Sequence, residues 1–114
     1  MRFQIRGRNM TVDNQLRDQL EKRLQFALGR FEPRIRQVRV DLEDINGPRG
    51  GVDKSCRIAV HLKRGRTLRM GLTGEELIPL VDCAADRIGE AIRRTLDKWR
   101  RRRRHVPMPN GEGD

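Results

Sequence analysis

Two kinds of hydrophobic spacing follow one another along this chain, and their order limits the folds that it can adopt. Four segments alternate apolar with polar residues, which is the period of a strand with one buried face. Two longer segments repeat apolar residues every three or four positions, as amphipathic helices do. The order is β-α-β-β-β-α. It predicts an α+β fold in which both helices pack on one face of a four-stranded sheet, while the other face meets water.

The four predicted strands are separated by turn-forming residues. Their apolar positions are Phe3 and Ile5, then Val38, Val40 and Leu42, then Cys56, Ile58, Val60 and Leu62, and finally Leu68, Met70 and Leu72. Asn, Gly and Pro are dense in residues 46–51, which predicts a loop between the second and third strands. The pair Arg64-Gly65 predicts a tight hairpin between the third and fourth strands.

The two predicted helices differ in length. The first is capped by Asp13 and runs to about residue 30, before Pro33, with the apolar stripe Leu16, Leu20, Leu24, Ala27 and Phe31. The second begins near Glu76 or Leu77 and keeps its stripe as far as Trp99. We expect residues 1–100 to form one domain and residues 101–114 to form a basic, disordered tail. The arginines at 100–104 could instead extend the second helix.

Charge and composition restrict the kinds of partner. The chain has 26 Lys and Arg against 16 Asp and Glu, a net charge of +10, and therefore favours a polyanion. It has no apolar run of membrane-spanning length and no signal-peptide pattern, so we expect a cytoplasmic protein without a membrane partner. Cys56 and Cys83 lack a CxxC spacing, which favours reduced thiols packed as small hydrophobic groups.

Catalytic and metal-binding patterns are missing from the sequence. The two histidines, His61 and His105, have no evident acid, base or nucleophile beside them, and no phosphate-loop motif surrounds the glycines at 47–51. The compact acidic group Asp41, Glu43 and Asp44 is the one candidate for a metal-dependent nuclease. We therefore predict no enzyme activity, no cofactor, no metal site and no small-molecule substrate.

Basic residues of the second helix are segregated to one side. At about 100° per residue, Arg87, Arg94, Lys98 and Arg101 lie within roughly 60° of one another, whereas Asp82, Asp86 and Asp97 lie on the outer side. Such a ridge suits successive RNA phosphates. Recognition by base stacking is not expected, because most of the few aromatic residues lie on apolar faces. Phe26 is the exception, and for it partial packing is favoured over base stacking. The predicted RNA-binding residues are Arg23, Arg30, Arg87, Arg94, Lys98, Arg100, Arg101, Arg102, Arg103 and Arg104.

Several short stretches resemble one known family. They are Ile5, Gly7 and Asn9 in the first strand, Val12-Asp13 leading into Leu16-Arg17, and Leu77, Val81-Asp82 and Asp86-Arg87-Ile88 in the second helix. Together with the order of elements, they resemble the family of ribosome hibernation-promoting factors and ribosome-associated translation inhibitors, formerly called sigma-factor modulation proteins. The resemblance covers Met1 to about Lys98.

This resemblance implies a domain similar in shape to a double-stranded-RNA-binding domain. We expect the protein to be a monomer when it is not bound to a partner. The resemblance also implies a site on ribosomal RNA of the small ribosomal subunit, between head and body, where family members overlap messenger and transfer RNA positions. The family's basic helix-two positions fall on Arg87, Arg94 and Lys98, whereas Glu90 stands where some relatives are basic. The chain resembles the short form, which lacks a dimerisation domain, and the resemblance leaves open whether ribosome dimers are promoted or opposed.

The resulting hypothesis is a factor that binds the small ribosomal subunit and inhibits translation during hibernation. The alternative is a transcription modulator acting on a sigma factor or on DNA, as the older family name suggests. The sequence favours the first, because no helix-turn-helix pair is evident.

Overall fold

The computed structural model describes residues 1–45 and 53–104, with side chains as far as Arg102. The order of its elements is the predicted β-α-β-β-β-α. The elements are β1 (Arg2–Arg8), α1 (Asn14–Leu28), a 3₁₀ turn (Gly29–Arg34), β2 (Ile35–Asp44), β3 (Lys54–Leu62), β4 (Thr67–Gly74) and α2 (Leu77–Arg104).

The four strands form one sheet in the order β1-β2-β3-β4. β1 and β2 are parallel, because α1 connects them as a crossover, while the other neighbours are antiparallel. Ile5 lies opposite Val40, and Val40 in turn lies opposite Ile58. This register aligns apolar side chains in rows across one face of the sheet. The four-stranded sheet and the order of the elements confirm the predicted α+β fold.

Both helices pack against that apolar face. The buried core joins Ile5, Val38, Val40, Leu42, Cys56, Ile58, Val60 and Leu62 of the sheet with Leu20, Leu24 and Leu28 of α1 and Leu80, Val81, Ala84, Ala85, Ile88 and Ile92 of α2. Burial of these side chains removes apolar surface from water at about 25 cal/mol per Å², the main stabilising contribution. The sheet therefore has one helix-covered face and one open face.

The ends of α1 agree with the sequence prediction to within two residues. The Asp13 carboxylate caps the helix by accepting a hydrogen bond from the Leu16 backbone N–H at 2.8 Å. The helix ends at Leu28, and the chain continues as the 3₁₀ turn that contains Pro33. Arg17 also donates to the Ile5 carbonyl at 2.9 Å, which ties α1 to β1.

The helix α2 extends past the predicted domain boundary. It runs to Arg104, so the first four residues of the expected tail are helical. The physical reason is that arginine is a good helix former and no Gly or Pro interrupts the run before Pro107. The remainder of the predicted tail, residues 105–114, and the predicted loop at 46–51 lie outside the described residues.

Candidate nucleic-acid interface

Four cations of α2 project from one side of the helix, as the sequence predicted. We call Arg87, Arg94, Lys98 and Arg101 the basic flank. All four are exposed, and within the described parts of the chain none of them forms a salt bridge. Because the apolar stripe of α2 is buried in the core through Ile88 and Ile92, the flank sits on a packed helix rather than on a loose segment. It spans about 21 Å along the helix axis.

The basic flank points away from α1. Gly89 marks the side of α2 that faces α1, since a Cβ placed there would meet Leu28 at 3.6 Å and the Ala27 carbonyl at 3.9 Å. From Gly89, the basic flank lies roughly 120° to 180° around the helix axis. It is therefore free of cover from the neighbouring helix.

The structure does not place Arg23 and Arg30 beside the basic flank, which the sequence predicted them to extend, and their binding to RNA stays a prediction. Arg23 forms a salt bridge with Asp82 across the two helices, and Arg30 lies beside Phe31 on the α1 side of α2. A helical wheel could be drawn for each helix from the sequence, but the rotation of one helix against the other could not be predicted. That rotation places these two arginines on the opposite side of α2 from the basic flank.

The predicted segregation of the acidic residues is also only partly correct. Asp82 faces α1 rather than the outer side, because Arg23 attracts it there. Asp97 accepts from Arg93 at 3.1 Å and lies 3.7 Å from Arg100. Glu90 accepts a hydrogen bond from Arg93 at 3.0 Å, and this bond lowers the pKa of Glu90 below its ordinary value. Glu90 is thus hydrogen-bonded to Arg93, and the charge of Arg94 on the basic flank also lowers its pKa.

The arginine run at the end of α2 extends beyond the core. Trp99 is the last residue of α2 that packs against the core, and Arg100, Arg101 and Arg102 after it are exposed. Arg103 and Arg104 belong to the helix, but their side chains lie outside the described part. Since successive helical residues are about 100° apart, this run spreads charge around the helix instead of along one side.

Sequence reasoning missed a second group of arginines. Arg34, Arg64 and Arg93 join Arg30 and Arg100 around a cleft, which we call the arginine cleft. They come from the 3₁₀ turn, the β3–β4 turn and α2. No periodicity within a single element brings such residues together, so only the tertiary fold reveals them.

The open face of the sheet is a third basic surface. Its rows follow from the strand register and carry six arginines against two acids: Arg2, Arg6, Arg8, Arg39, Arg57, Arg69, Asp41 and Glu43. Asp41 pairs with Arg6 at 3.2 Å and with Arg39 at 3.5 Å. This surface could be predicted from the sequence, because polar residues alternate with apolar ones along each strand.

Phe26 differs from its prediction. Its side chain is 93% exposed rather than partly packed. The residue lies off the apolar stripe of α1, and no element covers that side of the helix within the described chain.

The two cysteines also differ from each other. Cys56 is buried in the core, where burial raises the pKa of its thiol to about 12, whereas Cys83 is exposed on α2. The expectation of a packed thiol is therefore correct for Cys56 and wrong for Cys83. At about 100° per residue, Cys83 lies close to the direction of the basic flank.

Two acidic residues of the candidate metal site on β2 form salt bridges with basic side chains of the protein. Asp41 pairs with two arginines, and Asp44 lies 3.8 Å from the Lys54 amine. Over residues 1–45 and 53–104, no group of three His, Cys, Asp or Glu side chains is placed to hold a metal ion. His61 shares a hydrogen bond with the Thr67 hydroxyl at 2.9 Å.

No described helix is long and apolar enough to cross a membrane.

Comparison with known proteins agrees with this architecture. The family model described as sigma 54 modulation protein / S30EA ribosomal protein matches residues 3–100. The chain therefore belongs to this family, and the resemblance identified in the sequence is confirmed. No curated protein matches the chain.

Two solved structures have a similar fold. The Protein Y N-terminal domain from Thermus thermophilus is 25% identical, with a TM-score of 0.65, over 81% of this chain and 94% of that chain. A ribosomal subunit interface protein from Coxiella burnetii is 19% identical, with a TM-score of 0.69, over 85% of this chain and 99% of that one.

Proposed function

We propose that this protein binds ribosomal RNA of the small ribosomal subunit through the basic flank of α2 and thereby inhibits translation in the cytosol. The site we propose is near the messenger and transfer RNA positions, as the family resemblance implies. The observation that carries the proposal is the row of four exposed cations without salt bridges on one side of a packed helix. Membership of the S30EA ribosomal protein family supports the ribosome as the target.

The chemistry of the flank favours phosphates over bases. Its side chains are guanidinium and ammonium groups, which form charge-assisted hydrogen bonds with phosphate oxygens. No aromatic side chain accompanies them among the described residues of this flank. We therefore propose that the protein reads the RNA backbone and its shape rather than its base sequence.

Transcription modulation is less well supported. The two α-helices are separated in sequence by three strands. The described elements therefore lack the consecutive helix pair by which a helix-turn-helix protein enters the DNA major groove. Repeating the sedimentation experiment described below with duplex DNA as a competitor tests this alternative, and preference for DNA over ribosomes would favour it.

The proposal is tested by comparing two triple variants with equal loss of charge. One carries Arg87→Ala, Arg94→Ala and Lys98→Ala on the basic flank. The other carries Arg2→Ala, Arg57→Ala and Arg69→Ala on the open sheet face. Each is mixed with purified ribosomal subunits and sedimented through a sucrose gradient, and each is added to a cell-free translation reaction.

We expect the flank variant to remain at the top of the gradient and to inhibit translation weakly. Each lost phosphate contact costs about 1 kcal/mol or more. The sheet-face variant should sediment with the small subunit, as the parent protein does. Both should fold, because all six side chains lie outside the core.

A third protein, truncated to remove residues 102–114, separates the ordered flank from the arginine run. We expect it to bind better than the flank variant, because a side chain on a packed helix loses less conformational entropy on binding. If the flank variant inhibits translation like the parent while the truncated protein does not, the arginine run carries the function.

A further inference from the structure

The arginine cleft lies where three elements meet, on a different side of α2 from the basic flank. The 3₁₀ turn, the β3–β4 turn and the C-terminal half of α2 enclose a volume of about 310 Å³. Its charged lining is Arg30, Arg34, Arg64, Arg93, Arg100 and Asp97. Five cations thus surround one carboxylate in a concave space. Its volume is near the lower limit of the volumes of small-ligand sites.

Three of these arginines are available to a ligand. Asp97 is shared by Arg93 and Arg100, and Arg93 also pairs with Glu90. In contrast, the remaining cations Arg30, Arg34 and Arg64 have no carboxylate within salt-bridge distance among the described residues. The cleft therefore keeps an excess of positive charge that the protein itself does not neutralise.

Aromatic rings hold two of the free guanidinium groups in place. The Arg30 guanidinium carbon lies 4.7 Å from the centre of the Phe31 ring, and that of Arg64 lies 4.7 Å from the Trp99 ring. A cation–π contact orients a guanidinium group without using its N–H donors. These donors remain free to bind an anion, at a lower entropic cost than from a freely moving side chain.

The backbone also positions Arg64. Gly65 adopts a φ of +87°, which closes the β3–β4 turn. The Lys63 N–H donates to the Arg34 carbonyl at 2.9 Å, so this turn is joined to the 3₁₀ turn. The two elements that supply the free arginines are thus held side by side.

We propose that the arginine cleft is a binding site for the phosphate group of a nucleotide. A phosphate offers several oxygens to more than one guanidinium fork at once, whereas a single carboxylate offers two. The guanidinium planes beside Phe31 and Trp99 supply surfaces on which a base stacks. The nucleotide comes either from the free pool or from an unpaired segment of RNA, since both present the same chemistry. This proposal does not rest on ribosome binding by the basic flank.

Trp99 provides a direct readout of the cleft. It is the only tryptophan and the chain has no tyrosine, so the intrinsic fluorescence reports on this site. The isolated full chain is titrated separately with inorganic pyrophosphate, with GTP and with a short single-stranded oligouridylate. Calorimetry gives the affinity of each probe independently of the fluorescence.

Two double variants with equal loss of charge accompany the parent protein. Arg34→Gln with Arg64→Gln alters the cleft, and Arg57→Gln with Arg69→Gln alters the open sheet face. All four side chains are exposed, so each variant should fold, and circular dichroism is used to check this. We expect GTP, the oligouridylate or both to bind the parent saturably, the cleft variant to bind about ten-fold more weakly, and the sheet-face variant to bind within about two-fold of the parent.

The two sources of the nucleotide are separated by comparing probes. Binding of GTP at least as tight as that of the oligouridylate assigns the cleft to free nucleotides, whereas binding of the oligouridylate alone assigns it to RNA. The proposal is overturned if neither nucleotide probe changes the Trp99 fluorescence saturably. It is equally overturned if both double variants weaken binding to the same extent, because general charge attraction would then explain it. Neither outcome bears on the basic flank, since no ribosome is present.

Discussion

Cys56 and Cys83 have the same chemistry but opposite environments. Cys56 lies in the core beneath β3 with a pKa raised to about 12 by burial, so its reactive thiolate form is scarce near neutral pH. Cys83 is exposed on α2. The sequence predicted that both thiols are packed, and this is wrong for Cys83. Whether its side of α2 is covered depends on how the helix is rotated on the sheet, which the sequence does not show.

A thiol titration tests this difference. In the folded protein, a thiol-specific chromogenic reagent should modify Cys83 rapidly and leave Cys56 intact, whereas both should react in denaturant. The control is Cys83→Ser, which should show almost no rapid reaction. Rapid modification of both thiols in the native protein would show that β3 is less well covered than described.

Residue contacts also show where sequence reasoning reached its limit. The N-cap Asp13 could be predicted, because its partner Leu16 is three residues away on the same helix. The pairing of Arg23 with Asp82 could not, because it depends on how two helices distant in sequence are rotated against each other. The arginine cleft was missed for the same reason, since Arg34 and Arg64 meet only through the tertiary fold.

At the scale of elements, Gly89 of α2 lies where this helix contacts α1. A Cβ at Gly89 would lie 3.6 Å from the Leu28 side chain, an ordinary van der Waals contact. The order and nearly all the boundaries of the elements were predictable, because each rests on local periodicity and capping. The end of α2 at Arg104 was left open, since a run of arginines suits a helix and a solvated arm equally well.

The close approach at Gly89 gives a stability prediction. Gly89→Ala should raise the free energy of unfolding by about 0.5–1 kcal/mol, because alanine is the better helix former and its methyl group fits beside Leu28. Urea denaturation measures the change. The reverse exchange nearby, Ala91→Gly, should lower stability by about 1 kcal/mol. A loss of stability in Gly89→Ala would mean that the helices are closer than the structure shows.

At the scale of the whole molecule, the net charge of +10 is divided among distinct surfaces. The basic flank, the arginine cleft and the open sheet face have different orientations, so a single flat polyanion cannot contact all three. Net charge could be read from the sequence, but this division depends on the fold.

Salt dependence should report how many charges of the flank meet phosphates. Ribosome affinity of the parent protein should fall steeply as salt increases, because bound phosphates release counterions. In the triple-alanine flank variant, the slope of log affinity against log salt should be smaller by about two to three. The triple sheet-face variant provides the control with equal charge. An equal slope in the parent and the flank variant would exclude phosphate contacts by these three residues.

The central claim, that the basic flank meets ribosomal RNA of the small subunit, is tested most directly by crosslinking from Cys83. A thiol-tethered photo-crosslinker on this exposed residue lies on the side of the basic flank, and buried Cys56 does not compete for the label. The control carries the same label on the open sheet face, through Arg69→Cys combined with Cys83→Ser. We predict efficient crosslinks from Cys83 to small-subunit ribosomal RNA near the messenger and transfer RNA positions, and far fewer from the control. Crosslinks from the sheet face alone, or no ribosomal RNA crosslinked from Cys83, would contradict the account.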